Sequence, residues 1–138
     1  MNHRAPHERP TCLLVDDHEE IRSSLASLLE SEGFVIVAAA GTGAEAVSEL
    51  ETHRPGLAVI DYGLPDFNGL EVAREAARLS PETLLVLFTG EASAKIVRDA
   101  LAAGVRGVVV KDVPPMHLMQ AIDAVLAGET YVDPVLKG

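Results

Sequence analysis

The sequence predicts an α/β domain whose parallel sheet is covered by helices on both faces. Short, wholly apolar runs alternate with amphipathic segments five times along the chain. The runs lack the in-out alternation of a strand with one wet face, so both of their faces must be buried. Size agrees: 138 residues make one domain with room for one core.

The first run, TCLLVD over residues 11–16, reads as a buried strand. His18 to Glu32 follows as a helix, with Ile21, Leu25, Leu28 and Leu29 at helical spacing and Gly33 as its stop. Phe34 to Ala38 is the second strand. Thr42-Gly-Ala-Glu45 has the form of a capping box, whose hydroxyl and carboxylate satisfy free amides at a helix start. The helix it opens turns Ala46, Val47 and Leu50 inward. GLAVID over 56–61 is the third strand, and Asn68 caps a helix holding Leu70, Ala73 and Leu79. Leu84 to Phe88 is the fourth strand, followed by a helix from Ala94 to Ala103 that ends at Gly104. Arg106 to Val110 is the fifth. Asp112, as a cap, with Pro114 and Pro115, marks the start of a last helix, which runs to about Ala127 and stops at Gly128. Right-handed crossovers leave few topologies for five such units, and the flavodoxin-like order 2-1-3-4-5 is favoured. Residues 1–10 read as a loose arm, 11–128 as the domain, and 129–138, ETYVDPVLKG, as the start of a linker or tail.

Lys and Arg number 11 against 21 Asp and Glu, a net charge of −10. That excess repels a phosphate backbone, so the segment by itself is a poor DNA binder and suits metal ions or proteins as partners. The single cysteine, Cys12, lies in an apolar run and reads as a buried, inert thiol. No stretch approaches the roughly 18 apolar residues of a membrane span. The start, MNHRAPHERP, lacks the apolar centre of a signal peptide. Together these predict a cytoplasmic protein without a membrane partner.

Ligands of open α/β sheets bind at the carboxyl ends of the strands. Strand one ends in Asp16 and Asp17, strand three in Asp61, strand four in Thr89 followed by Gly90, and strand five in Lys111. In the predicted order these strands are neighbours, so one small site collects three carboxylates, a hydroxyl and an ammonium. Crowded carboxylates repel, and a hard divalent cation such as Mg2+ resolves the repulsion through oxygen ligands. Lys111 supplies a fixed positive charge for a phosphate, and Thr89 a donor hydroxyl. This set is what phosphoryl transfer to an aspartate requires. Taken singly, each residue has a plainer reading: a helix cap, a turn former, a surface lysine, a strand end. Their coincidence at neighbouring strand ends is what points to chemistry.

The segments VDDHEEIRSSL, DYGLPDFNG, LFTGE, ALAAGVRGVVVK and AIDAVLAGETYVDP resemble the receiver domain of two-component response regulators. The resemblance covers roughly residues 11 to 128 in order, and the spacings from Asp17 to Asp61 and from Thr89 to Lys111 fit it. It implies a phosphoacceptor switch in which Asp61 takes a phosphoryl group from a sensor histidine kinase. It also implies that Asp16, Asp17, Asp61 and the carbonyl of Gly63 hold Mg2+, that Thr89 is the switch hydroxyl and that Lys111 is the phosphate partner. Pro65 matches the proline that shapes the loop after the acceptor. Such a domain is not an enzyme with turnover, although it assists its own phosphorylation and dephosphorylation, and it can form a homodimer once phosphorylated.

His18, Asp112 and the ending GETYVDP resemble the NarL/FixJ-type branch, whose regulators usually carry a DNA-binding helix-turn-helix after the receiver. Control of transcription through such a domain, absent from these 138 residues, is the expected output. A stand-alone receiver acting through protein contacts is the alternative. Val108 departs from the aromatic residue many receivers use as a rotating switch, and as a short, stiff β-branched side chain it is expected to pack statically.

His18 reads as facing solvent on the first turn of its helix rather than as a metal ligand. His3, His7, His53 and His117 show no ligand spacing, and Met116 and Met119 read as helix packing. An aspartate-nucleophile phosphatase would need a D-x-D pair on strand one, and the acids here are adjacent. A flavodoxin would need a phosphate-cradling first loop, and DDHEE is acidic.

Overall fold

A computed structural model describes residues 9–111 and 116–136. Its elements are β1 (Thr11–Val15), α1 (Glu19–Ser31), β2 (Val35–Ala40), α2 (Gly43–His53), β3 (Leu57–Ile60), α3 (Gly69–Leu79), β4 (Leu84–Thr89), α4 (Ala94–Ala102), β5 (Gly107–Val110), α5 (Met116–Leu126), β6 (Tyr131–Val132) and a 3-10 turn, Pro134–Leu136. The strands form one parallel sheet in the order β2-β1-β3-β4-β5-β6. The predicted flavodoxin-like order stands, with one strand added at its edge.

Side chains along a strand alternate between faces, and the core divides accordingly. Leu13, Val15, Ala58, Ile60, Leu85, Leu87 and Val108 face α2, α3 and α4 and pack with Leu50, Leu70, Val72, Ala73 and Ala100. Cys12, Leu14, Leu57, Val59, Val86, Phe88 and Val109 face the other way, against Leu25 and Leu29 of α1 and Leu118, Ile122 and Val125 of α5. Val108 is fully buried in the first of these layers. Burial pushes the Cys12 thiol up to about 12, so it stays protonated and packs as an apolar group.

Several sequence expectations shift. The second strand begins at Val35 and runs to Ala40, because Phe34 turns inward as a buried anchor ahead of it. Thr42 accepts from the Glu45 amide as predicted, but the Glu45 carboxylate reaches Gly41 rather than closing the box on Thr42. Asn68 accepts from the amides of Leu70 and Glu71, and Gly33, Gly104 and Gly128 end their helices at positive φ. Of the residues read as an arm, Arg9 is paired with Asp123 at 2.9 Å and lies over the Phe34 ring, and Pro10 packs against Gly56. Residues 1–8, and the predicted helix start at Asp112, Pro114 and Pro115, lie outside the described residues.

The segment read as a linker is the main correction. Tyr131 and Val132 pair with Gly107 and Val108 as a sixth strand, and Asp133 is buried behind them. An open β5 edge would leave a row of unpaired backbone groups, and this short strand covers it. Two residues are too few to carry a readable period. Among the described residues no helix is long and apolar enough to cross a membrane.

Candidate functional site

Strand register builds the site. Val15 lies beside Ile60 in the β1–β3 pair, so the next residues, Asp16 and Asp61, leave the sheet side by side. Thr89 lies beside Val110 in the β4–β5 pair, and Lys111 follows one position on, its amide donating to the Thr89 carbonyl at 2.9 Å. Asp16 and Asp61 are only 3% and 6% exposed, which makes their charges costly unless neutralised.

Part of that neutralisation is Lys111. Its Nζ stands 2.6 Å from Asp16 Oδ2 and 2.9 Å from Asp61 Oδ2. Burial pushes the ammonium's pKa down, but hydrogen bonds and charge from Asp16 and Asp61 outweigh it and hold the group above its ordinary value. Three carboxylates against one ammonium leave the site electron-rich. A carboxylate oxygen from each of Asp16, Asp17 and Asp61 and a ring nitrogen of His18 all lie within 4.8 Å of one another. Hard oxygens at that spacing suit a hard divalent cation.

The remaining predicted residues sit around this cluster in different ways. Thr89 is buried, and its hydroxyl accepts from the Glu91 amide at 3.1 Å, so it is tied to the loop after β4 rather than to a carboxylate. Gly63 is exposed, with nothing within 4 Å of where a Cβ would stand, so only its backbone is of use there. Pro65 is likewise exposed in the loop after Asp61.

His18 faces solvent as expected, and the structure adds a contact the sequence did not show. It occupies the N-cap of α1 without capping it, and its Nδ1 lies 3.0 Å from both Asp16 Oδ1 and Asp17 Oδ1. It remains largely open to solvent, yet it bridges the acidic pair. Two further supports have no local signal. The Arg22 guanidinium donates to the Asp16 carbonyl at 2.6 Å from the next turn of α1. Asp66 accepts from the amides of Gly43 and Ala44 at 2.7 and 2.9 Å, clamping the loop after Asp61 to the start of α2. Those amides lie 23 and 22 residues earlier in the chain, beyond the reach of spacing rules.

Comparison with known families matches residues 12–123 to the response regulator receiver domain. The chain belongs to that family. Among curated relatives, this receiver domain is 39% identical over 121 residues to the DNA-binding transcriptional activator DevR/DosR of Mycobacterium tuberculosis, covering 87% of this chain and 56% of the relative. It is 37% identical over 122 residues to the transcriptional activator protein ExaE of Pseudomonas putida, covering 88% and 57%. The chain thus spans little more than half the length of these relatives. Among solved structures, a LuxR-family two-component response regulator from Aurantimonas superposes with a TM-score of 0.88 at 30% identity, covering 94% of each chain. The receiver fold, the family and the kinship with LuxR- and NarL-type regulators are therefore established for this domain.

Proposed function

We propose that this receiver domain is a phosphoacceptor switch in which Asp61 takes a phosphoryl group from the phosphohistidine of a sensor kinase. The observation that carries the reading is the convergence of buried Asp16 and Asp61 on Lys111, with Asp17 at their side. An Asp61 oxygen attacks phosphorus, the P–N bond to the donor imidazole breaks, an acyl phosphate forms, and the imidazole leaves with a proton. Asp16, Asp17, Asp61 and the Gly63 carbonyl are the residues that would hold Mg2+. When bound, the ion neutralises phosphoryl oxygens and relieves the repulsion of the carboxylates. Lys111 follows the charge from carboxylate to phosphate, and the Thr89 hydroxyl, still accepting from the Glu91 amide, donates to a phosphate oxygen and draws the loop after β4 with it. The phosphate, which carries about −1.5 to −2 charge on phosphorylated side chains generally, is what attracts these two donors.

Output through transcription is the reading favoured by the relatives, which are named as transcriptional activators and extend well beyond the matched region. In that reading a DNA-binding helix-turn-helix follows the receiver, and the domain, which carries a net charge of −10, acts on it from the cytoplasm by a change in conformation or by homodimerisation.

Intact mass after incubation with acetyl phosphate and Mg2+ tests the core of the proposal. One added phosphoryl mass, labile to hydroxylamine, is expected, and Asp61→Asn should abolish it. Equal labelling of the same peptide in Asp61→Asn would overturn the assignment.

A further inference from the structure

Asp133 is a buried carboxylate, 1% exposed, that the phosphoacceptor chemistry does not use. We infer that it is a positioning residue for Lys111, and that through it the segment leaving the domain is coupled to the phosphoryl site. This rests on the phosphoacceptor reading above.

The geometry at the end of β5 carries the inference. Residues of a parallel strand point their amides alternately to the two neighbouring strands. On the β6 side, Tyr131 donates to the Arg106 carbonyl and Asp133 to the Val108 carbonyl, both at 2.8 Å. The next rung would take the Val110 amide to the Asp133 carbonyl. That carbonyl is diverted into the 3-10 turn, where it accepts from Leu136 at 2.9 Å. The Asp133 side chain fills the missing rung instead: Oδ2 accepts from the Val110 amide at 3.1 Å. Oδ1 accepts from the Val135 amide at 3.1 Å and lies 3.6 Å from Nδ1 of His117, on the first turn of α5.

Two consecutive amides at the end of β5 are thereby held from opposite sides, Val110 by Asp133 and Lys111 by the Thr89 carbonyl. Lys111 projects from the last position so held, where its ammonium spans Asp16 and Asp61. A side-chain acceptor is a softer constraint than a backbone rung, since it moves with its own rotamer and with whatever follows Leu136. Displacement of Lys111 toward a phosphate pulls on Val110, and hence on Asp133, on α5 and on the exit segment together.

The experiment is a double-mutant cycle on the full chain, reading the rate of acetyl phosphate labelling and the lifetime of the acyl phosphate. Asp133→Ala should slow labelling by about tenfold, less than the 10²-fold that a 1 Å misplacement can cost, and should shift the Val110 and Lys111 amide resonances. Asp133→Asn, which keeps an acceptor oxygen toward Val110, should restore most of both. In a Lys111→Ala background, Asp133→Ala should have no further effect on labelling, because it acts through Lys111. Equal, additive losses in both backgrounds would overturn the inference, as would a parent-like rate and unshifted amides in a folded Asp133→Ala. Should Asp133→Ala unfold, an Asp133→Asn labelling rate as low as that of Lys111→Ala would overturn it alone. Failure of the parent to label at all would instead strike the phosphoacceptor reading.

Discussion

Asp61 and Asp66 lie on the same loop and are both carboxylates, yet their surroundings make them opposites. Asp66 is on the surface and meets backbone amides of Gly43, Ala44 and Phe67. Desolvation raises its pKa, but those three donors and its own backbone amide outweigh it and hold the group below its ordinary value of 3.8. Neutral donors fixed in a helix start and a turn leave Asp66 satisfied with nothing further to bind. Asp61 is buried, shares one lysine with Asp16 and faces Asp17. Its neighbours are charges rather than fixed dipoles, and the sum is negative. A carboxylate satisfied by backbone holds a fold together, whereas one left in surplus invites a cation and an electrophile.

Gly69 offers the most damaging way to blur that contrast. It sits at the far end of the loop, donates to the Tyr62 carbonyl at 2.8 Å, and any Cβ there would run into the Asp61 carbonyl oxygen. Backbone has to move to admit it. Gly69→Ala should cost about 1–3 kcal/mol of stability, as overpacking does, and should also impair Asp61 labelling. Urea denaturation together with intact-mass labelling checks both, and a variant as stable and as reactive as the parent would show that the loop is not held as described.

Asp17→Ala separates the two carboxylate roles. It should weaken Mg2+ binding by about tenfold or more, at least what loss of an outer-shell partner costs a metal site. Removing one of three like charges should leave metal-free stability unchanged or slightly raised. A Mg2+ titration followed by calorimetry, beside a melting curve without metal, reads the two effects. Unchanged affinity would remove Asp17 from the metal set.

Asp66→Ala should do the reverse, with the smallest effect. Because the folded-state pKa is lowered, the stabilisation is present above the unfolded value near 3.8 and is lost as pH falls through the lower folded value. The variant should therefore melt below the parent at pH 7, and the gap should close in strong acid. Mg2+ affinity and labelling should fall less than in Asp17→Ala and Gly69→Ala. A gap in Tm that persists undiminished at pH 2 would mean that the carboxylate's charge is not what stabilises the loop.

Among the described residues, the alternation of apolar runs and amphipathic segments is enough to read five of the six strands and the five α-helices, because burial on both faces writes a continuous apolar signal into each strand. The candidate site was legible for a related reason. Its members sit at strand ends, and the order of a parallel sheet brings strand ends together whatever the loops do. His18 shows where this stops. Its spacing said first turn of a helix, while its ring bridges two acids, a choice made by side-chain rotamer and local charge.

By itself the sequence determined the order of the five βα units and which residue types meet at one edge of the sheet, since these follow from periodicity and chain order, and the resemblance of its motifs pointed to the family. Tertiary structure alone decided what depends on partners distant in the chain. Asp66 finds amides 23 and 22 residues away, Tyr131 and Val132 become a strand only because β5 has an open edge, and Asp133 becomes a buried acceptor because a ladder ends one rung short. Hydrogen-bond satisfaction is a property of the assembled backbone, and no local pattern of residues announces where it will be wanting.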